Sequence, residues 1–420
     1  MKKILVLNYD DHKGGGVIWT FADKLEEQGH QVFGVPFLKS LDDTDSCFVD
    51  VRKKYSIAYF LYKLCSLYFR IANKFIYESQ SSIFYNCHYY PVSAEGILKK
   101  CPFNPNLILI GWYDFYLSPK TIWKLHQLTG AKIVISMIDE FILGAGCHYP
   151  FACEQYKSGC TDCPAIKRKN IAAKIWRDKI HYFKELPLVV AGTSYDLNCF
   201  KSIEEFSQVR TVKNIGIPHP PFVMSKEAAR KIWNIGNDDF CMLFGATNFN
   251  DKRKGLVELL DSLDFFLHNQ DGKRNVTILM LGNANIDIDE IKYGANVRFV
   301  KTGYVSRIEM YKAYFACDIF VSPTLADSGP YMVNYATACG RPTVAFPIGV
   351  AVDLCIPGET GYLAEYKDAY SFAKGIDFFY GMSKQEYEDY SQNCLDLMRK
   401  LELEKPWYLR ILEDRGLYEF

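Results

Sequence analysis

Lys252-Arg253-Lys254-Gly255 is a segment of the 420-residue chain whose residue types could do chemistry. It follows an apolar run and a polar turn, and opens a stretch where Leu256, Leu259, Leu260 and Leu263 recur at helical spacing. Two cations beside a helix N-terminus suit a diphosphate leaving group. Side-chain charge, helix dipole and backbone N–H groups all meet the negative charge that grows as the bond breaks. Short basic runs are also common on solvated turns, so alone the segment leaves both readings open. A second segment, Ser322 to Gly340, leaves a buried strand and enters a helix. Gly329 lets backbone approach a ligand, Pro330 suits a first helical turn, and the N–H groups through Tyr331, Met332 and Val333 can hold phosphate or sugar oxygens. Asp327 can accept hydrogen bonds from sugar hydroxyls. By itself this segment is equally a plain strand-to-helix turn.

Gly14-Gly15-Gly16, after the first apolar run, would let backbone N–H groups of Gly15 and Gly16 approach a phosphate or an acceptor. It lacks the full dinucleotide fingerprint, and no acid in register follows, which disfavours a nicotinamide enzyme. Cys147, Cys153, Cys160 and Cys163 form a C-x5-C-x6-C-x2-C array in a loop over 144–164. Four thiolates could bind a structural zinc, closed to catalysis because every ligand position would be filled. Packed reduced thiols and disulfides are the alternatives. The other ten of the 14 cysteines are scattered among apolar stretches, as in a reducing compartment.

To position such groups the chain offers alternating strands and helices. Ile4–Leu7, a turn, a helix over Val17–Glu27 and a strand over Gln31–Val35 form a β-loop-α-β unit. Leu107–Ile110, Lys132–Ser136 and Leu188–Ala191 continue the pattern, which predicts parallel strands with crossover helices. After the turn Ile217-Pro218-His219-Pro220-Pro221, strands are expected at Cys241–Ala246, Val276–Leu281, Val297–Val300, Ile319–Val321 and Thr343–Phe346. The expectation is two Rossmann-like, doubly wound α/β domains, over 1–220 and 221–400. A helical tail over 401–420 would cross back to the first, and ligand would sit where the strand carboxyl ends of both domains face each other.

The 49 basic and 49 acidic residues cancel, so no global field draws the chain to nucleic acid. The N-terminal apolar run reaches Asp10 too soon for a signal peptide or a span, and a cytoplasmic protein is expected. Residues 52–77 form a long helical candidate rich in Tyr and Phe. Arg52, Lys63, Arg70 and Lys74 fall within a stripe about 40° wide on it. Such a helix can lie on an anionic membrane surface, or simply cover the core with a solvated edge.

Taken together with Gly303-Tyr304-Val305 and with Pro347-Ile348-Gly349 through Gly361-Tyr362-Leu363, the two segments stand in an order and spacing that is similar to a known family. The chain resembles the retaining nucleotide-sugar glycosyltransferases of family 4, with the GT-B fold, especially those of colanic-acid, capsule and O-antigen assembly. The resemblance extends over nearly the whole length and is strongest from Phe244 to Ala364. It implies transfer of a hexose-type sugar, with retention and without a catalytic cofactor, from a nucleotide-diphosphate sugar to a saccharide or undecaprenyl-diphosphate-linked acceptor, peripheral to the inner face of the membrane. It also implies that Arg253 and Lys254 hold the diphosphate, that Tyr304 and Val305 meet the nucleobase, and that Asp327 meets the sugar. Tyr335 stands where the family has a ribose-binding acid, and Ile138 where many relatives carry a histidine. The latter leaves Asp139 or His148 to act on the acceptor. Those departures keep two competitors in view: a catalytically silent GT-B-fold binding or assembly subunit, and a nucleotide-sugar epimerase.

Overall fold

The computed structural model describes all residues except 12–16, 40–46, 79–82, 269, 271–273, 284–287, 289 and 414–420. The chain divides into two compact units. One comprises Met1–Gly192, Asp196–Asn214 and the return segment from Pro406, and the other Thr193–Tyr195 and Ile215–Lys405.

The first unit is built on six parallel strands in the spatial order Gln31–Pro36, Lys3–Asn8, Leu107–Ile110, Lys132–Ser136, Leu188–Gly192 and Arg210–Lys213. The central strands are unbroken apolar runs because helices cover both faces: Ile4 to Leu7 and Leu107 to Ile110 are all buried. Local signals set the helix ends. Ser118 caps Pro119–Thr129 by accepting from Thr121 N at 3.1 Å, and Gly130 closes it at φ +67. The short helix Trp407–Glu413 packs on this unit, the Trp407 ring 4.8 Å from that of Phe21.

In the second unit the order is Val297–Lys301, Val276–Asn283, Phe240–Asn248, Ile319–Ser322, Thr343–Ala345 and Gly361–Leu363, again all parallel. Numbered within the unit this is 3-2-1-4-5-6, the Rossmann order, and the first unit is 2-1-3-4-5-6. Each sheet reverses direction beside its first strand, which opens a crevice at the strand carboxyl ends. Arg230, fully buried, ties the entrance helix Lys226–Ile232 to the sheet through Asp318 (Nη2 to Oδ2, 2.8 Å) and the Ala316 carbonyl (3.1 Å). A buried guanidinium is tolerable there because its donors are spent on partners.

The helix expected over 52–77 is Ile57–Ile76, capped by Ser56, and none of its residues is buried. A two-strand ribbon, Leu38–Lys39 with Val49–Asp50, went unforeseen because two-residue strands carry no periodicity.

Candidate functional site

In the second unit the first strand runs into a turn that Asp251 organises. Its carboxyl group caps the single 3-10 turn Lys252–Lys254, accepting from Arg253 N at 3.1 Å, and grips the Arg253 side chain through Nη2 (2.6 Å) and Nε (3.2 Å). The chain then bends at Gly255 with φ +71, where a β-carbon would stand 1.7 Å from the Pro323 carbonyl oxygen. Only glycine fits there. The contact, with Leu325 N donating to Arg253 O at 2.7 Å, pins the basic turn against the segment leaving Ile319–Ser322. Lys254 Nζ donates to the buried Asp327 carboxyl group. Arg253, Lys254 and Asp327 are thus gathered at the carboxyl ends of the two strands that flank the switch point.

Asp327 also accepts from Gly329 N at 3.2 Å. A β-carbon on Gly329 would meet nothing within 4 Å, so the space beside its backbone is open. Pro330 is the N-cap of Tyr331–Ala338, in whose first turn the N–H groups of Tyr331 and Met332 have no residue four back within the helix to bond, whereas Val333 N–H, which the sequence offered to a ligand, is already engaged. The next side chains serve packing. A β-carbon on Gly216 would fall 2.4 Å from the Tyr331 ring, one on Gly245 2.2 Å from the Met332 methyl, and Val333 is buried with its N–H donating to Pro330 O at 2.8 Å. Tyr335 sits half-buried among rings, 5.2 Å from Tyr331 and 5.4 Å from Tyr311, both edge-on. Gly303 O accepts from Gly282 N at 3.0 Å, which places Tyr304, 75% exposed, beside the sheet end, while Val305 packs on the core. Gly15 and Gly16 lie outside the described residues.

The first unit holds a different cluster at its switch point. His148 is buried between two carboxyl groups, Nδ1 2.5 Å from Asp139 Oδ2 and Nε2 3.0 Å from Asp114 Oδ2. Burial opposes a charged ring, but the hydrogen bonds to Asp114 and Asp139 outweigh it and raise the imidazole to about 9. Asp139 accepts from Phe141 N at 3.0 Å, and Asp114 from Asn86 Nδ2 (2.5 Å) and Phe115 N (2.6 Å). Both ring nitrogens being engaged, Asp139 and His148 work as one unit. Asp114 was missed in the sequence, although Gly111-Trp112-Tyr113-Asp114 follows a buried strand at the end where ligands bind in such sheets.

Residues 241–380 match the family model described as glycosyl transferases group 1. The second unit is similar to that family. None of the curated proteins compared matches the chain. Among solved structures the whole chain is similar to sucrose-phosphate synthase from Thermosynechococcus elongatus (15% identity, 99% of this chain and 98% of that one, TM-score 0.61). A glycosyltransferase from Rickettsia africae follows (14%, 98% and 99%, TM-score 0.59). The Anabaena protein HepE, crystallised with UDP and glucose, is also similar (14%, 95% of each, TM-score 0.55). The fold is therefore the α/β GT-B glycosyltransferase fold, built from two Rossmann-like units.

The match to the group 1 glycosyltransferases spans both halves of the basic and acidic site, from the strand before Arg253 to beyond Gly361. It leaves the cysteine loop outside. Cys147, Cys153, Cys160 and Cys163 line one cavity of about 10 Å³, with Tyr85 and Tyr156. Among the described residues no group of three or more His, Cys, Asp or Glu stands close enough to hold a metal, this loop included. Burial raises the Cys147 and Cys163 thiols and pushes Cys160 up to about 11. Beneath the loop Lys179 is fully buried, donating to the Phe141 and Gly144 carbonyls at 2.5 Å each, and burial lowers it to about 8. Cys147, Cys160 and Cys163 pack into the same core cluster as Phe141, whose ring stacks on His148.

On the long helix Phe60, Leu64, Leu67, Tyr68, Ile71 and Phe75 are exposed. At about 100° per residue they share one sector, and Lys63, Arg70 and Lys74, also exposed, flank it. Among the described residues no helix is long and apolar enough to cross a membrane.

Proposed function

We propose that the chain transfers a hexose-type sugar from a nucleotide-diphosphate sugar to a saccharide acceptor, free or carried on a polyprenyl diphosphate, in the assembly of a cell-surface polysaccharide. The observation that carries this is the pinned arrangement of Arg253, Lys254 and Asp327 at a Rossmann switch point, beside open space at Gly329 and a helix N-terminus. Lys254 and Arg253 meet the diphosphate as the anomeric C–O bond breaks and the nucleoside diphosphate leaves with the electron pair. The acceptor hydroxyl oxygen bonds to the anomeric carbon, and its proton passes to the departing phosphate. Asp327 orients sugar hydroxyls, Gly329 to Val333 supply backbone around the donor, and Tyr304 and Val305 bound the base. Retention rests on the resemblance to family 4. Similarity to HepE, which was crystallised with UDP and glucose, supports a UDP-type donor.

The exposed apolar sector with its basic flank supports a peripheral contact of the long helix with an anionic membrane, where a lipid-linked acceptor would be met. A second reading is favoured by Tyr335. Its phenol, enclosed by Tyr311 and Tyr331, offers the ribose no carboxylate, as in a subunit that binds donor without turning it over. Calorimetry with UDP and GDP, followed by transfer assays with labelled nucleotide sugars and membrane-lipid acceptors, tests both. Binding with transfer supports the enzyme, binding without transfer the silent subunit, and absence of nucleotide binding defeats both.

A further inference from the structure

Four of the 14 cysteines, Cys147, Cys153, Cys160 and Cys163, fall within one loop of the first unit, and glycosyl transfer as proposed above uses none of them. All four are free thiols, and they surround one space of about 10 Å³, room for about one water molecule. Cys153 is among the neighbours that raise Cys147, Cys160 and Cys163, so its sulfur lies within electrostatic reach of all three. Three or more of them do not converge as metal ligands do, whereas a disulfide asks only two to meet.

The four are not equivalent. Cys147, Cys160 and Cys163 are buried, whereas Cys153 is half-buried and also lines an open groove of about 450 Å³ with Pro150, Phe151, Glu154 and Asp162. Of the four it alone borders both the groove and the inner space. The acids of the groove are paired, Glu154 with Lys157 and Asp162 with Lys169, which offsets their repulsion of an anionic reagent. Among the inner three, Cys163 is the one best prepared to react. Burial raises its thiol, but the N–H groups of Ala165 and Ile166 bond its sulfur and favour the thiolate, the form that attacks a disulfide. Those donors are fixed from outside the loop, with Glu78 N donating to Ala165 O at 2.9 Å and Lys167 N to Ile76 O at 2.8 Å.

We propose that Cys153 and Cys163 form a redox-active pair, oxidised by a low-molecular-weight disulfide that enters the groove. The Cys153 thiolate attacks one sulfur of the reagent. The reagent's S–S bond breaks, and its other half leaves with the electron pair and takes up the proton that Cys153 gave. The Cys163 thiolate then attacks the Cys153 sulfur of the mixed disulfide, forms a bond of about 2 Å and expels the second half, which takes up the Cys163 proton. Two protein thiols lose two electrons and one small disulfide becomes two thiols, so excess reduced thiol reverses the exchange. Nothing in this pair depends on nucleotide-sugar chemistry.

The test incubates the intact, reduced chain with oxidised glutathione in mild alkali, quenches with an alkylating reagent and maps the peptides by mass spectrometry. A peptide pair linked through Cys153 and Cys163 is expected in the wild type, and excess reduced glutathione should remove it. In Cys163→Ala the reaction should stop at the mixed disulfide, and the glutathione adduct on Cys153 should rise at least about tenfold over wild type, because the intramolecular thiol that clears it is gone. Cys153→Ala, at the rim of the groove, should lose both species without repacking the buried thiols. Absence of the linked pair in the wild type, a bond from Cys153 to Cys147 or Cys160 instead, or equimolar zinc shielding all four thiols of the purified chain would each overturn the proposal.

Discussion

The two units carry sheets of nearly the same topology and stock their switch points with opposite charge. In the second, Arg253 and Lys254 are the groups to be presented, and Asp251 and Asp327 hold them. In the first, Asp114 is presented, and His148, locked from its other side by Asp139, holds it. The scaffold is common because parallel strands with crossover helices leave the same crevice wherever strand order reverses. The chemistry differs because the turns that enter the crevice differ: a glycine-tight basic turn in one, an aromatic turn ending in Asp114 in the other. Fold alone would not foretell that difference, and the residues of the turns do.

The largest effect expected from breaking this comparison is on turnover. Arg253→Ala and Lys254→Ala should each lower kcat by about 10²–10³-fold, the scale for removing one preorganised charge from a developing anion. Steady-state transfer with a labelled donor measures it, and near-normal kinetics in both variants would contradict the donor site. Next comes a pair of glycines within that site. Gly255→Ala forces a β-carbon onto the Pro323 carbonyl at positive φ, and should cost about 2–4 kcal/mol in a urea titration. Gly329→Ala, with open space around it, should leave stability within about 0.5 kcal/mol and weaken donor binding instead. Equal destabilisation by the two would mean that the space beside Gly329 is not a ligand's.

A third effect concerns the surface of the first unit. Replacing Lys63, Arg70 and Lys74 together by Gln removes roughly 1 kcal/mol of attraction per charge to an anionic bilayer, about a hundredfold in partition. Co-sedimentation with phosphatidylglycerol vesicles reads it. Partition unchanged from wild type would leave the helix a merely structural cover.

Strands of continuous apolar residues were legible in the sequence, since burial on both faces leaves a local mark, whereas the Ser56 cap that starts the long helix at Ile57 was passed over for the wider aromatic run of 52–77. The basic turn was legible as a charge run, but not its partners. Asp251 lies two residues away and Lys254's partner Asp327 seventy-three, and nothing in the spacing says which carboxyl group will reach which cation. The histidine cluster was half legible. His148 and Asp139 stood out as residues, whereas Asp114 comes from a chain segment 25 residues upstream of Asp139 that only the sheet brings alongside. The cysteine spacing marked a set of residues that do come together around one small space, though the tyrosines that share it, Tyr85 and Tyr156, carried no mark in the sequence.

The smallest effect is the one that separates the two sites by pH. In the second unit the carboxyl groups are paired with Arg253 and Lys254, whereas the clamp of the first unit is a histidine. Its folded value of about 9 lies above the ordinary histidine value of 6.5, so the clamp's contribution is fully present below about pH 6.5 and is lost as pH rises through 9. Five of the six tryptophans, including Trp112, belong to the first unit, and tryptophan fluorescence therefore follows its unfolding. Lys179, which burial lowers to about 8, has the opposite dependence, gaining stability as pH rises, so the quantity to read is the difference between wild type and His148→Gln in urea, in which that term cancels. The difference should shrink by about 2 kcal/mol between pH 7 and 9.5, because glutamine keeps a donor for one carboxyl group but has no proton to lose. A variant that retains the wild-type slope would show that some other group, and not the imidazole between Asp114 and Asp139, holds the two carboxyl groups in place.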